Sequence, residues 1–135
     1  MARIMAVDYG GVRTGVVFSD LTNTLAGEAL TITERGLKPL AAKLIELAKA
    51  RNADTVALGY PLNEDGSVGH RAEQTDKLAA KLKGAGFTVE LIDERYTSLE
   101  AQEILRDNGY NAKSHKKGKV DAVAAALILE TYLNR

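Results

Sequence analysis

Residues 3–33 place the tightest limit on the fold, because they hold three β-rich runs joined by turns too short for a crossover. Arg3 to Asp8 is short and apolar-rich, the pattern of a buried strand. Gly10, Gly11 and Arg13 make a turn, and Gly15 to Ser19 (GVVFS) is a second β-rich run. Asp20 to Asn23 is another turn, and Glu28 to Thr33 (EALTIT) alternates like a third strand. Connections this short require antiparallel neighbours, so the chain opens with a meander.

The period then changes. Leu37 to Arg51 carries Leu40, Leu44, Ile45, Leu47 and Ala48 at helical spacing. Thr55 to Gly59 reads as a strand, Pro61 to Gly69 as a loop, and His70 to Lys83 as a helix with Leu78, Ala79 and Leu82 on one face. Phe87 to Ile92 is the last strand. Thr97-Ser98-Leu99-Glu100 fits the capping box of a helix running to about Asp107. Asn108 to Gly118 is polar, and Val120 to Leu133 is a final helix with Val120, Val123, Ala124, Leu127 and Ile128 on one stripe. The β-α-β units of this second half pair their strands in parallel through right-handed crossovers. The expectation is one α/β domain spanning residues 1–135, with a mixed sheet of about five strands covered by helices.

Asp8 ends the first strand, and Asp93 and Glu94 follow the last. Open α/β sheets form their sites outside the carboxyl ends of their strands. Asp121 opens the final helix and can reach the same edge. Carboxylates on separate elements suit hard divalent cations, and two such ions roughly 4 Å apart can clamp a phosphodiester. The chain has no cysteine, so thiolate zinc sites and disulfides are excluded. Its two histidines, His70 and His115, make no histidine cluster. An oxygen-rich site for Mg2+ or Mn2+ remains. Each acid also has a plain structural reading. Asp8 before two glycines is a common turn residue. Asp121 can serve the helix dipole alone, and Glu94 can pair with Arg95.

Gly10 to Gly15 has the spacing of a P-loop but lacks the Lys-Ser/Thr that follows one, so that motif is rejected. An Asp-x-Gly turn also faces phosphates in actin-like ATPases, but those need a second lobe. Gly59-Tyr60-Pro61 lets backbone approach a ligand closely, or simply ends a strand. Thr97 and Ser98 lack a histidine base, so a nucleophilic serine is not expected. Lys plus Arg equals Asp plus Glu at 18 each, so only local patches speak for a polyanionic partner. Arg13 and Arg95 flank the acids and can hold phosphate oxygens with forked hydrogen bonds. Lys113, His115, Lys116, Lys117 and Lys119 form a basic loop ahead of Asp121, either a solvated surface or a grip on a nucleic-acid backbone. No long apolar stretch marks a leader or a membrane span, so a cytoplasmic protein is expected.

Four segments in order carry a resemblance: "VDYGGVRTGVVFSD", "LGYPLNEDGSVGHRA", "IDERYTSLEA" and "KVDAVAAALILETYL". Together they resemble the YqgF/RuvX family, described as pre-16S rRNA nucleases or Holliday junction resolvase-like proteins. The resemblance implies a ribonuclease H-like fold and a metal-dependent nuclease, with Asp8, Glu94 and Asp121 as catalytic metal ligands. It prefers Glu94 to Asp93. A fourth acid, common in such sites, is not evident near Asp121. Arg13, Arg95, Lys116, Lys117 and Lys119 are the nucleic-acid-binding candidates. The implied substrate is precursor 16S rRNA. A branched DNA junction, cut by a homodimer, is the nearest alternative, and a non-catalytic nucleic-acid-binding assembly factor is a rival of another class.

Overall fold

The computed structural model describes residues 2–20, 22–23, 26–61, 65–93 and 120–134, with residues 120–122 described in backbone only. Among the described residues, five strands and three helices follow in order: β1 (Arg3–Asp8), β2 (Arg13–Ser19), β3 (Ala26–Thr33), α1 (Leu37–Ala50), β4 (Ala53–Tyr60), α2 (His70–Gly84), β5 (Thr88–Asp93) and α3 (Val120–Leu133). The helix expected over 97–107, the polar segment at 108–118 and the basic loop at 113–119 lie outside the described residues.

The strands form one sheet in the order β3-β2-β1-β4-β5. β1–β2 and β2–β3 pair antiparallel, as the short connections demand. β1–β4 and β4–β5 pair in parallel, each reached through a helix. β1 is therefore the central strand, with the meander on one side and the crossover strands on the other.

Arg13 is an early correction to the sequence reading. It starts β2 rather than belonging to the turn, because it pairs with Thr33 of β3 beyond the point where β1 has ended. The β1–β2 ladder closes at Asp8 opposite Gly15, leaving residues 9–12 as the turn. β3 and β4 also begin two residues earlier than expected, at Ala26 and Ala53, because β2 and β1 offer them ladder partners there.

Strand alternation sorts the core into two layers. Met5, Val7, Val16, Phe18, Val56 and Leu58 face one way and pack with Leu40 and Leu44 of α1 and Leu78 and Leu82 of α2. Each of those helical leucines is fully buried, which contributes about 1.5–3 kcal/mol apiece. Ala6, Val17, Ala57 and Ile92 face the other way and pack with Ala125, Ala126, Ile128 and Leu129 of α3.

The buried stripe of α3 differs from the expected one. Ala125, Ala126, Ile128 and Leu129 are buried, while Val123, Ala124 and Leu127 are only partly so. The helix is apolar on nearly every side, so its periodicity does not select a face. Contact with the sheet does. Ala125 and Ala126 meet Ala6 and Ala57, and side chains this small let the helix axis come close to the strands.

Glu130 is the charged exception in this layer, with 1% of its surface exposed. Its Oε1 accepts from the backbone N–H of Ala26 at 3.1 Å, and its Oε2 from Asn134 Nδ2 at 3.3 Å. Burial nevertheless pushes its carboxyl above the ordinary value, outweighing both hydrogen bonds. Between the unfolded and folded values, the native state holds a proton that the unfolded chain has released. Its contribution to stability is therefore fully present in acid and is lost as pH rises from about 4.3 through the folded value. Glu130→Gln should flatten that slope in urea titrations run across the same pH range.

Thr14 is fully buried, and among the described residues its Oγ1 has no hydrogen-bond partner. A buried unpaired hydroxyl is a cost that valine, of nearly the same shape, removes. Thr14→Val should raise the unfolding free energy by about 1 kcal/mol, read from the urea midpoint at unchanged slope.

Candidate active site at the carboxyl edge of the sheet

β1, β4 and β5 run parallel, so their carboxyl ends share one edge. Asp8 closes β1 there, Gly59 and Tyr60 close β4, and Asp93 closes β5. The register sets Val7 beside Leu58, Gly59 beside Ile92 and Tyr60 beside Asp93. β4 stands between Asp8 and Asp93, so their backbones are about 10 Å apart at one interstrand spacing per step.

The two aspartates differ in face. Asp8 follows Ala6 by two positions and so belongs to the α3 side of the sheet. Asp93 follows Ile92, which is on the α3 side, and so belongs to the other face.

α3 covers the face of the sheet to which Asp8 belongs. Glu130, near its end, meets Ala26, which pairs with Ser19, and Ser19 Oγ accepts from the N–H of Ile4 at the start of β1. From Glu130 back to Val120 the helix spans about 15 Å, matching the length of β1. Asp121 belongs to the first turn of α3, the helix that covers the face of Asp8. Glu94, Arg95, Lys116, Lys117 and Lys119 lie outside the described residues, as does the side chain of Asp121. Among the described residues no group of three or more His, Asp or Glu side chains comes together to hold a metal.

The turn after Asp8 is tightly set. A Cβ on Gly10 would lie 1.9 Å from the carbonyl oxygen of Arg13, so only glycine fits. Gly11 has φ +82°, the left-handed region that glycine adopts without strain. Val12 is bound on its far side by the N–H of Glu34, at 2.9 Å. Arg13 follows, exposed, at the same edge.

α2 reaches this edge through two side chains. Arg71 Nη2 donates to the carbonyl of Tyr9 at 2.8 Å. The Tyr60 hydroxyl donates to Asp76 Oδ2 at 2.9 Å, and partial burial together with this hydrogen bond pushes the phenol above its ordinary value. Neither Arg71 nor Asp76 was among the residues read from the sequence as site candidates. The one available signal was the position of Arg71 within the second of the four resembling segments.

A profile of the family described as "RuvX: Holliday junction resolvase" matches residues 2–135. The chain belongs to the RuvX family. Relatives include a candidate pre-16S rRNA nuclease of Endomicrobium trichonymphae, 38% identical over 135 residues and covering 99% of this chain and 96% of its own. One of the same name from Anaeromyxobacter dehalogenans (strain 2CP-C) is 38% identical over 134 residues, covering 98% and 97%. Among solved structures, Thermus thermophilus RuvC in complex with a Holliday junction substrate superposes with a TM-score of 0.66 at 11% identity. It covers 99% of this chain and 97% of that one. The Fowlpox virus resolvase bound to Holliday junction DNA gives 0.62 at 18% identity, covering 98% and 97%. At these identities the likeness concerns the fold, and RuvX shares the ribonuclease H-like arrangement of these resolvases. No helix among the described residues of this RuvX member is long and apolar enough to cross a membrane.

Proposed function

We propose that this RuvX protein is a metal-dependent nuclease that hydrolyses phosphodiester bonds during maturation of the 16S rRNA precursor. The observation that carries the reading is Asp8. It stands at the carboxyl end of the central strand, on the face covered by α3, in a chain whose full-length relatives are named for this activity. Asp8, Glu94 and Asp121 would hold Mg2+ or Mn2+. Their donor set is oxygen only, which suits these ions and not zinc. Asp93 belongs to the opposite face from Asp8, which supports the preference of the resemblance for Glu94.

A bound divalent ion supplies charge neutralisation at the phosphate and a lowered pKa for attacking water. The chain's own residues do the rest. Arg13, exposed beside the turn, steadies phosphate oxygens together with Arg95. Lys116, Lys117 and Lys119 grip the backbone through a salt-dependent contact. Gly10 and Gly11 leave a low wall beside Asp8 across which a phosphate backbone can approach.

The family description favours a second reading, resolution of a four-way DNA junction, for which symmetric cutting would require a homodimer. The same chemistry would act on a different substrate. Side-by-side assays on precursor 16S rRNA and on a four-way junction, in Mg2+ or Mn2+ and in chelator, separate the two. Metal-dependent cutting of the rRNA precursor with the junction left whole is the expected result. Tight binding of both with no turnover in either metal points instead to a non-catalytic assembly factor.

A further inference from the structure

We propose that Arg71 is a positioning residue for Asp8, acting through the carbonyl of Tyr9. The inference rests on the reading of Asp8 as a metal-holding carboxylate.

Tyr9 follows Asp8 immediately and lies beyond the last β1–β2 ladder pair. Its carbonyl therefore needs a donor from outside that ladder. The donor comes from 62 residues along the chain, as the Arg71 guanidinium at 2.8 Å. A hydrogen bond from a charged group is stronger than a neutral one and keeps a fixed direction.

The next two residues are glycines, the residues with the most backbone freedom. Gly10 is confined on the β2 side by the Arg13 carbonyl. Arg71 supplies the restraint on the α2 side, at the peptide that joins Tyr9 to Gly10. The peptide plane so held is one residue from the Cα that carries the Asp8 carboxylate.

The Arg71 side chain is exposed, and its backbone is well seated. Thr75, fully buried, donates from Oγ1 to the Arg71 carbonyl at 2.8 Å. Ala72 is fully buried. Tyr60 and Asp76 tie the following turn of α2 to the end of β4. The first two turns of α2 are thus fastened to the carboxyl ends of two adjacent strands, and Arg71 is the fastening nearest Asp8 in sequence.

The test compares Arg71→Ala, Arg71→Lys and Asp8→Asn with the wild type. Three readouts are taken: kcat and KM on an RNA substrate in Mn2+, amide hydrogen exchange of residues 9–13 without metal, and the urea midpoint. A carboxylate displaced by about 1 Å costs roughly 100-fold in rate. Arg71→Ala should therefore lose about 10- to 100-fold in kcat with KM within about threefold, and Gly10 and Gly11 amides should exchange faster. Arg71→Lys, which keeps one charged donor, should recover most of kcat and remain folded.

Wild-type kcat in Arg71→Ala, or a loss confined to KM with a changed salt dependence, overturns the inference. So does unchanged exchange at residues 9–13. If Asp8→Asn is inactive while Arg71→Ala turns over normally, this inference alone falls. If Asp8→Asn cuts at the wild-type rate, the reading of the site falls and takes the inference with it.

Discussion

Asp8→Asn should abolish Mg2+- or Mn2+-dependent cleavage, lowering kcat by about 1,000-fold, equivalent to roughly 4 kcal/mol of transition-state stabilisation. The substitution keeps size and removes charge, so it isolates the electrostatic role. Asp8 is partly exposed at the end of β1 and opposes Gly15, whose missing side chain leaves the amide room. The fold should survive, with a urea midpoint near that of the wild type. An amide oxygen is a weaker donor to a hard cation than a carboxylate. Manganese titration of the variant should therefore show weakened binding in parallel with the lost turnover. Cleavage at the wild-type rate would leave Asp8 as a turn residue and nothing more.

Gly10→Ala should be the most damaging single methyl in the opening turn. The added carbon would meet the Arg13 carbonyl oxygen at 1.9 Å, a backbone atom at the start of β2. Relief requires the β1–β2 turn to open, so a loss of about 2–4 kcal/mol is expected. Gly11→Ala is the matched control. Space around Gly11 is open, and only its φ of +82° opposes a side chain. The left-handed conformation costs an L-residue about 1–2 kcal/mol. Urea unfolding of the two variants should rank them in that order, and activity should fall further in Gly10→Ala because the same turn leads out of Asp8.

The opening meander was legible because connection length alone decides strand direction. The crossover strands followed from alternation of period, and Val120–Leu133 carries the same bounds in sequence and structure. What the pattern could not give was orientation. α3 is apolar all round, so no stripe announces which side meets the sheet, and the alanines on both partners decide it. Arg13 read as a turn residue because its partner Thr33 belongs to a strand that pairs past the end of β1.

Asp8 was legible as a carboxylate at a strand end, and the resemblance gave it a purpose. Its face needed the register, which also separates it from Asp93. Arg71 was legible only through its place in the second resembling segment, since a side chain reaching a carbonyl 62 residues away leaves no local period or spacing.

The layer formed by α3 also has a bearing on timing. A ribosome delivers the chain from its amino end, so Asp8 emerges early and Asp121 nearly a whole chain later. Among the described residues, α3 is the element that covers the sheet face of Ala6, Val17, Ala57 and Ile92. On the proposed site, the carboxylates divide between the first strand and that late helix. A nascent chain would thus be unable to cut RNA before its release. Docking of the final helix would complete the apolar core and the scissors in one event.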